Sequence, residues 1–206
     1  MSVLRPATPQ EGSVRAYFVQ LWTSRASNWR YEVGHNEATP EHIVVVNGPH
    51  WWVSNARTHE LTTNEGTSAP HPRPVAQLLE EQDPALAEML DPYRIIPYLW
   101  LDPQETVIYL GREAIRVKGL PRAAVVPDAS PALLRLGTSG YEFLVDAERG
   151  VLLRWDAYLD GQAFAGWELL NASFDIDIAD NIFAIAPAPD TAIHRVTRPR
   201  PPQIAY

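Results

Sequence analysis

The sequence contains no cysteine. Disulfides, thiolate metal sites and cysteine nucleophiles are therefore excluded together. Lysine is nearly absent: Lys118 is the single one among 17 basic residues, against 25 acidic ones, for a formal charge of -8. Such a surface lacks the basic footprint that nucleic-acid binding needs. No apolar run approaches the ~20 residues of a membrane-spanning helix; Ile43–Val46 is typical of the longest. Residues 1–13 carry two prolines and no apolar core of a secretory leader, so the chain as written reads as cytoplasmic, with a periplasmic or extracellular location only if a leader is missing. Glycines number 11 and are scattered, which leaves no phosphate-cradling loop.

What is present is a 206-residue chain, 46% hydrophobic and 20% charged, the balance of a globular domain. Val14–Trp22 is rich in aromatic and β-branched residues, and Trp29, Tyr31 and Val33 alternate with Arg30 and Glu32. That period of two is the mark of a strand with one wet face. Asn47-Gly48 joins Ile43–Val46 to Trp51–Asn55 as a tight hairpin, and another strand follows near His59–Thr63. Over 74–100 the apolar spacing changes to three and four, interrupted by Asp83-Pro84 and Asp91-Pro92 and terminated by Pro97 and then Asp102-Pro103, which predicts a helical insert broken into short pieces. Strand patterning then returns through Ile115–Val117, Ala123–Val126, Tyr141–Asp146 and Val151–Leu159. Asp160-Gly161 turns into a long strand over Ala163–Asp175, and Asn181–Ile185 closes the sheet. The segment 187–206 reads as a proline-rich arm, and 1–13 as an N-terminal arm.

The expected fold class is α+β: a strongly curved antiparallel sheet, a half-barrel of about ten strands over 14–186, with the short helices plugging its concave face. A large antiparallel sheet must cover its dry face, and the insert is the one helical segment available.

No catalytic constellation emerges. The histidines at 35, 42, 50 and 59 are spread over separate strands and turns without ligand spacing, and Asp175, Asp177 and Asp180 lack the turn and distal Glu of a calcium loop. Ser139 sits between glycines without a nucleophile elbow, and Glu80 and Glu81 read as a solvated helix face. No cofactor and no metal is implied. The seven tryptophans serve equally as core filling or as walls of an apolar cavity. Candidate cavity residues are Trp22, Trp29, Trp52, Leu99, Trp100, Tyr141, Trp155 and Trp167. Because neighbours on a strand face opposite ways, Trp51 becomes the outward member of the Trp51–Trp52 pair, and with Arg198 and Arg200 it forms a candidate protein interface.

Three stretches in order, LWTSRASNWRYEVG, IVVVNGPHWWVSN and ARTHELTT, resemble the bacterial lipoprotein-carrier (LolA-like) family, with Asn47, Gly48 and Trp52 on its hairpin pattern and Arg25 near its arginine. YEFLVDAERGVLLRWDAYLDGQAF and NIFAIAPAP are similar to segments of LolA-like and sigma-factor-regulator (RseB-like) proteins, closest to an actinobacterial branch without a signal peptide. The resemblance implies a non-enzymatic half-barrel whose cavity binds an apolar or lipid-like molecule. The alternative it implies is a regulatory protein-interaction module, RseB-like, with the cavity filled. Neither involves nucleic acid or membrane insertion.

Overall fold

The computed structural model describes residues 2–5, 17–24, 28–36, 38–64, 75–122, 131–135 and 137–197. Its contacts group the chain into two compact units, one built on Tyr17–Gln82 and Ser173–Tyr206, the other on Ser2–Ala16 and Asp83–Ala172.

In the first unit β2 (Tyr17–Ser24), β3 (Asn28–Gly34), β4 (His42–Asn47), β5 (His50–Asn55) and β6 (Glu60–Thr63) form an antiparallel meander. The Asn47-Gly48 turn forms as the sequence predicts, with Gly48 at φ +58°, a conformation a side chain would strain. Val44, Val45 and Val46 are all buried, so β4 is covered on both faces. One cover comes from far along the chain. A 3₁₀ turn at Asp180–Phe183 packs on β3 and β4, and Phe183 is 1% exposed. Arg30 ties that turn down, donating from Nη1 to the carbonyls of Ile182 and Ala184, both at 3.0 Å. The expected closing strand at Asn181–Ile185 is thus replaced by this turn. The sheet is instead extended by β12 (Ala192–Arg195), which pairs parallel with β6 from within the proline-rich arm. Helix α1 (Val75–Gln82) also belongs to this unit.

The second unit orders its strands β1-β11-β10-β9-β8-β7, all antiparallel: β1 (Ser2–Arg5), β7 (Leu99–Tyr109), β8 (Arg112–Pro121), β9 (Gly140–Asp146), β10 (Leu152–Leu159) and β11 (Gln162–Leu169). The described strands therefore number twelve rather than about ten, because short pairings at Ser2–Arg5 and Ala192–Arg195 carry no alternation long enough to read. The helical insert is broken as expected. Helix α2 (Pro84–Leu90) is capped by Asp83, whose Oδ1 accepts from Leu86 N–H at 3.0 Å, with Pro84 in the first turn, and 3₁₀ turns follow at Pro92–Arg94 and Ile96–Tyr98. Asp102-Pro103 does not end a helix. It lies inside β7, the edge strand of this sheet, where a residue without N–H is tolerated. The strand expected over Ala163–Asp175 ends at Leu169, and Ala123–Val126 lies outside the described residues.

Helix α2 packs on β10 and buries Ala85, Leu86, Ala87 and Met89. Its Glu88 points inward and accepts from the backbone N–H of Ala132 (2.7 Å) and Leu133 (2.8 Å), which pins the 131–134 turn to the helix. Burial pushes the Glu88 carboxyl above its ordinary range, against the lowering effect of those two donors.

Candidate functional site

Register decides which tryptophans share a face. In the first unit Thr23, Trp29, Val46 and Trp51 are successive cross-strand partners, and the adjacent row is Trp22, Arg30, Val45 and Trp52. Trp29 therefore does not share a wall with Trp22 and Trp52; it is on the opposite side of the sheet. Trp51 is the interior member of its pair, 2% exposed, while Trp52 is half-buried. Its candidacy as an outward contact is corrected accordingly: β5 pairs with β4 so that residue 51, not 52, falls in line with the buried Trp29 and Val46. Arg198 and Arg200 lie outside the described residues.

In the second unit Val117, Phe143, Trp155 and Trp167 form one row across β8–β11, and Gly119, Tyr141, Ala157 and Ala165 form a nearby row on the same face. All are buried. Tyr141 stacks on Phe143 (5.9 Å between centroids) and on Trp155 (6.1 Å). Its hydroxyl accepts from Arg135 N–H at 3.0 Å and lies 3.3 Å from the Arg135 carbonyl, to which it donates. Leu99 is 1% exposed and comes close to Gly119. The register thus brings Tyr141, Trp155 and Trp167 to one aromatic wall. Trp100 departs from it: 64% exposed, it pairs across the strand with Leu120, 58% exposed, and the Arg122 guanidinium lies 4.3 Å from its ring centroid. As a surface residue it lines no enclosed cavity, because it lies one step out of phase with Leu99 at the start of β7.

The indole N–H groups of Trp29, Trp155 and Trp167 are buried and have no hydrogen-bond partner among the described residues. A buried donor left unmatched costs about 1–3 kcal/mol. Neither composition nor spacing signals this, because partner geometry exists only once the sheet is folded.

The opposite face of the same sheet is ionic. Arg116 pairs with Glu105 (2.8 Å) and Glu142 (2.6 Å), and Arg154 with Asp156 (2.5 Å). At the turns that end β7 and β9, a cleft of about 410 Å³ is bordered by Gly111, Arg112, Glu113, Asp146, Ala147 and Glu148. The buried Asp146 carboxylate there accepts from the Arg112 guanidinium and from the backbone N–H groups of Glu148 (3.0 Å) and Arg149 (2.8 Å). The Arg112 hydrogen bond above all holds its pKa below the ordinary carboxylate range. This closed network is a turn latch that sequence reading passed over. Among the described residues no group of three or more His, Asp or Glu is placed to hold a metal ion, and no helix is long and apolar enough to cross a membrane.

No family model and no curated protein matches the sequence. Solved structures do match. MucB aligns over 90% of this chain with a TM-score of 0.50 and 15% identity. The Pseudomonas aeruginosa MucA/MucB complex gives the same score and identity over 90% of this chain. The chain spans only about 55% of the length of that MucB chain. A LolA-superfamily protein from Nitrosomonas europaea aligns over 79% of this chain and 64% of its own at a TM-score of 0.28 and 12% identity. The fold is similar to that of MucB.

Proposed function

We propose that the chain is a non-enzymatic binding protein that takes up an apolar, lipid-like molecule against the aromatic wall of its second sheet. The observation that carries the reading is the single dry face on which Phe143, Trp155 and Trp167 stand in cross-strand register, beside Tyr141. Burial alone would drive binding, at about 0.8 kcal/mol per CH₂, or ~10 kcal/mol gross for a chain of about 12–16 carbons before ordering losses. Native mass spectrometry of protein purified from its own host tests it. A co-purifying apolar molecule, together with tryptophan quenching on adding acyl compounds, is expected; bare protein and unchanged fluorescence reject the reading.

One observation favours a second reading, an RseB-like protein-interaction module. Trp100 and Leu120 form an exposed apolar pair beside Arg122, and MucB, of similar fold, is known in complex with MucA. Capture of one stoichiometric protein, lost in Trp100→Ala, would support it.

A further inference from the structure

Strand β7 bonds to β8 on one side and to no other strand among the described residues. The direction of its backbone groups follows from its two ends. Leu110 and Gly111 have φ of +53° and +72°, the two-residue turn of a hairpin, so the flanking Tyr109 and Arg112 are a hydrogen-bonded pair. Alternation then turns the N–H and C=O of Ile108 and Thr106 away from β8. At the other end Arg122 N–H donates to the Tyr98 carbonyl at 2.9 Å, which makes Leu99, Leu101 and Pro103 the outward positions. Two observations agree. The Leu99 carbonyl accepts from Arg122 Nε at 2.9 Å, and proline at 103 stands where the ladder to β8 needs no N–H.

Between these runs the register slips by one residue: Pro103 lies opposite Val117, and Thr106 opposite Ile115. Because of that bulge, Leu101 and Ile108 fall on the same face, opposite Gly119 and Glu113. The edge is thereby complementary to itself. A second β7 laid antiparallel about a two-fold axis sets Leu101 against Ile108 and Pro103 against Thr106, outward groups meeting outward groups. The facing side chains match as well. Leu101 and Ile108, 40% and 74% exposed, cover each other, and the exposed Trp100 meets Tyr109 on the other face. Asp102 falls opposite Val107 and Glu105 opposite Gln104, so no carboxylate faces another, and Glu105 is already paired with Arg116 at 2.8 Å. A foreign strand could use the same backbone groups, but this side-chain match is intrinsic to the chain. We propose that the protein pairs with a second copy of itself edge to edge through β7, so that two second-unit sheets become one.

Sedimentation velocity of the full chain from about 1 to 500 μM tests this, since contacts of strand-edge size support only weak association. A monomer–dimer equilibrium is expected. Ile108→Lys should weaken it at least about tenfold by placing a charge in the contact, with an unchanged melting temperature because that side chain is in water. The chain has no cysteine of its own, so the register can be read by cross-linking. Under oxidation an equimolar mixture of Leu101→Cys and Ile108→Cys should give a covalent dimer. Neither variant alone should, because each position lies about 20 Å from its own copy across the axis. A monomer at every concentration, a dimer indifferent to Ile108→Lys, a mixture that stays unlinked, or cross-linking by one variant alone overturns the proposal.

Discussion

The ring of Phe143 occupies the space a side chain at Gly119 would fill: a Cβ there would lie 2.8 Å from Phe143 Cε2 and 3.5 Å from Leu99 Cδ1. Glycine inside β8 is therefore a packing requirement of the aromatic wall, not a turn signal. Gly119→Ala must displace Phe143 and with it the Tyr141 stack. A loss of about 1–3 kcal/mol in urea unfolding is expected, and an unchanged midpoint would show that the ring is free to move.

Trp51 and Trp52 should separate cleanly on truncation. Trp51→Ala empties a position that is 2% exposed, at a cost of about 3–5 kcal/mol. Trp52→Ala, on the half-buried side, should cost distinctly less. Thermal melts of the two variants check the order, and its reversal would mean that the β4–β5 register is shifted by one.

Glu88 makes stability depend on pH in one direction. Its folded pKa is raised, so the fold holds its proton more tightly than the unfolded chain does. This contribution is fully present below the ordinary Glu value of about 4.3 and is lost as pH rises through the folded pKa. Glu88→Gln should flatten that limb. It also trades one carboxylate acceptor for an amide NH₂, leaving Ala132 or Leu133 N–H unmatched, and should destabilise by about 1–2 kcal/mol at pH 7. Denaturant midpoints from pH 4 to 8 test both effects.

Asp146 acts in the opposite sense. Held low by Arg112, it contributes stability above the ordinary Asp value of about 3.9, and that contribution is lost as pH falls through the depressed folded pKa. Asp146→Asn should lower stability at neutral pH and converge with the parent once pH has fallen through that depressed folded pKa. A constant offset at every pH would show that the latch acts by shape rather than charge.

Trp100→Ala should leave stability within about 0.5 kcal/mol, since the side chain is mostly in water. A large drop in melting temperature would instead place Trp100 in the core.

Much of the local structure was legible. Alternation revealed β3 and β10, the Asn47-Gly48 and Asp160-Gly161 pairs marked hairpins, and Asp83-Pro84 marked the start of α2. These signals are local because backbone conformation and capping depend on adjacent residues. The aromatic wall was partly legible: Tyr141, Trp155 and Trp167 were candidates and do share a face, but Phe143 and the demand on Gly119 were not visible, since they arise across strands.

The amino-acid order by itself determined where most of the longer strands, two hairpin turns and the broken helices fall, and it excluded thiol chemistry. Only the tertiary structure decided that Trp51 faces inward, that Trp100 faces water, and that a turn at Asp180–Phe183 and a strand at Ala192–Arg195 return to the first sheet. The reason is physical: with a side-chain period of two, a strand presents either face equally well until distant partners set its register.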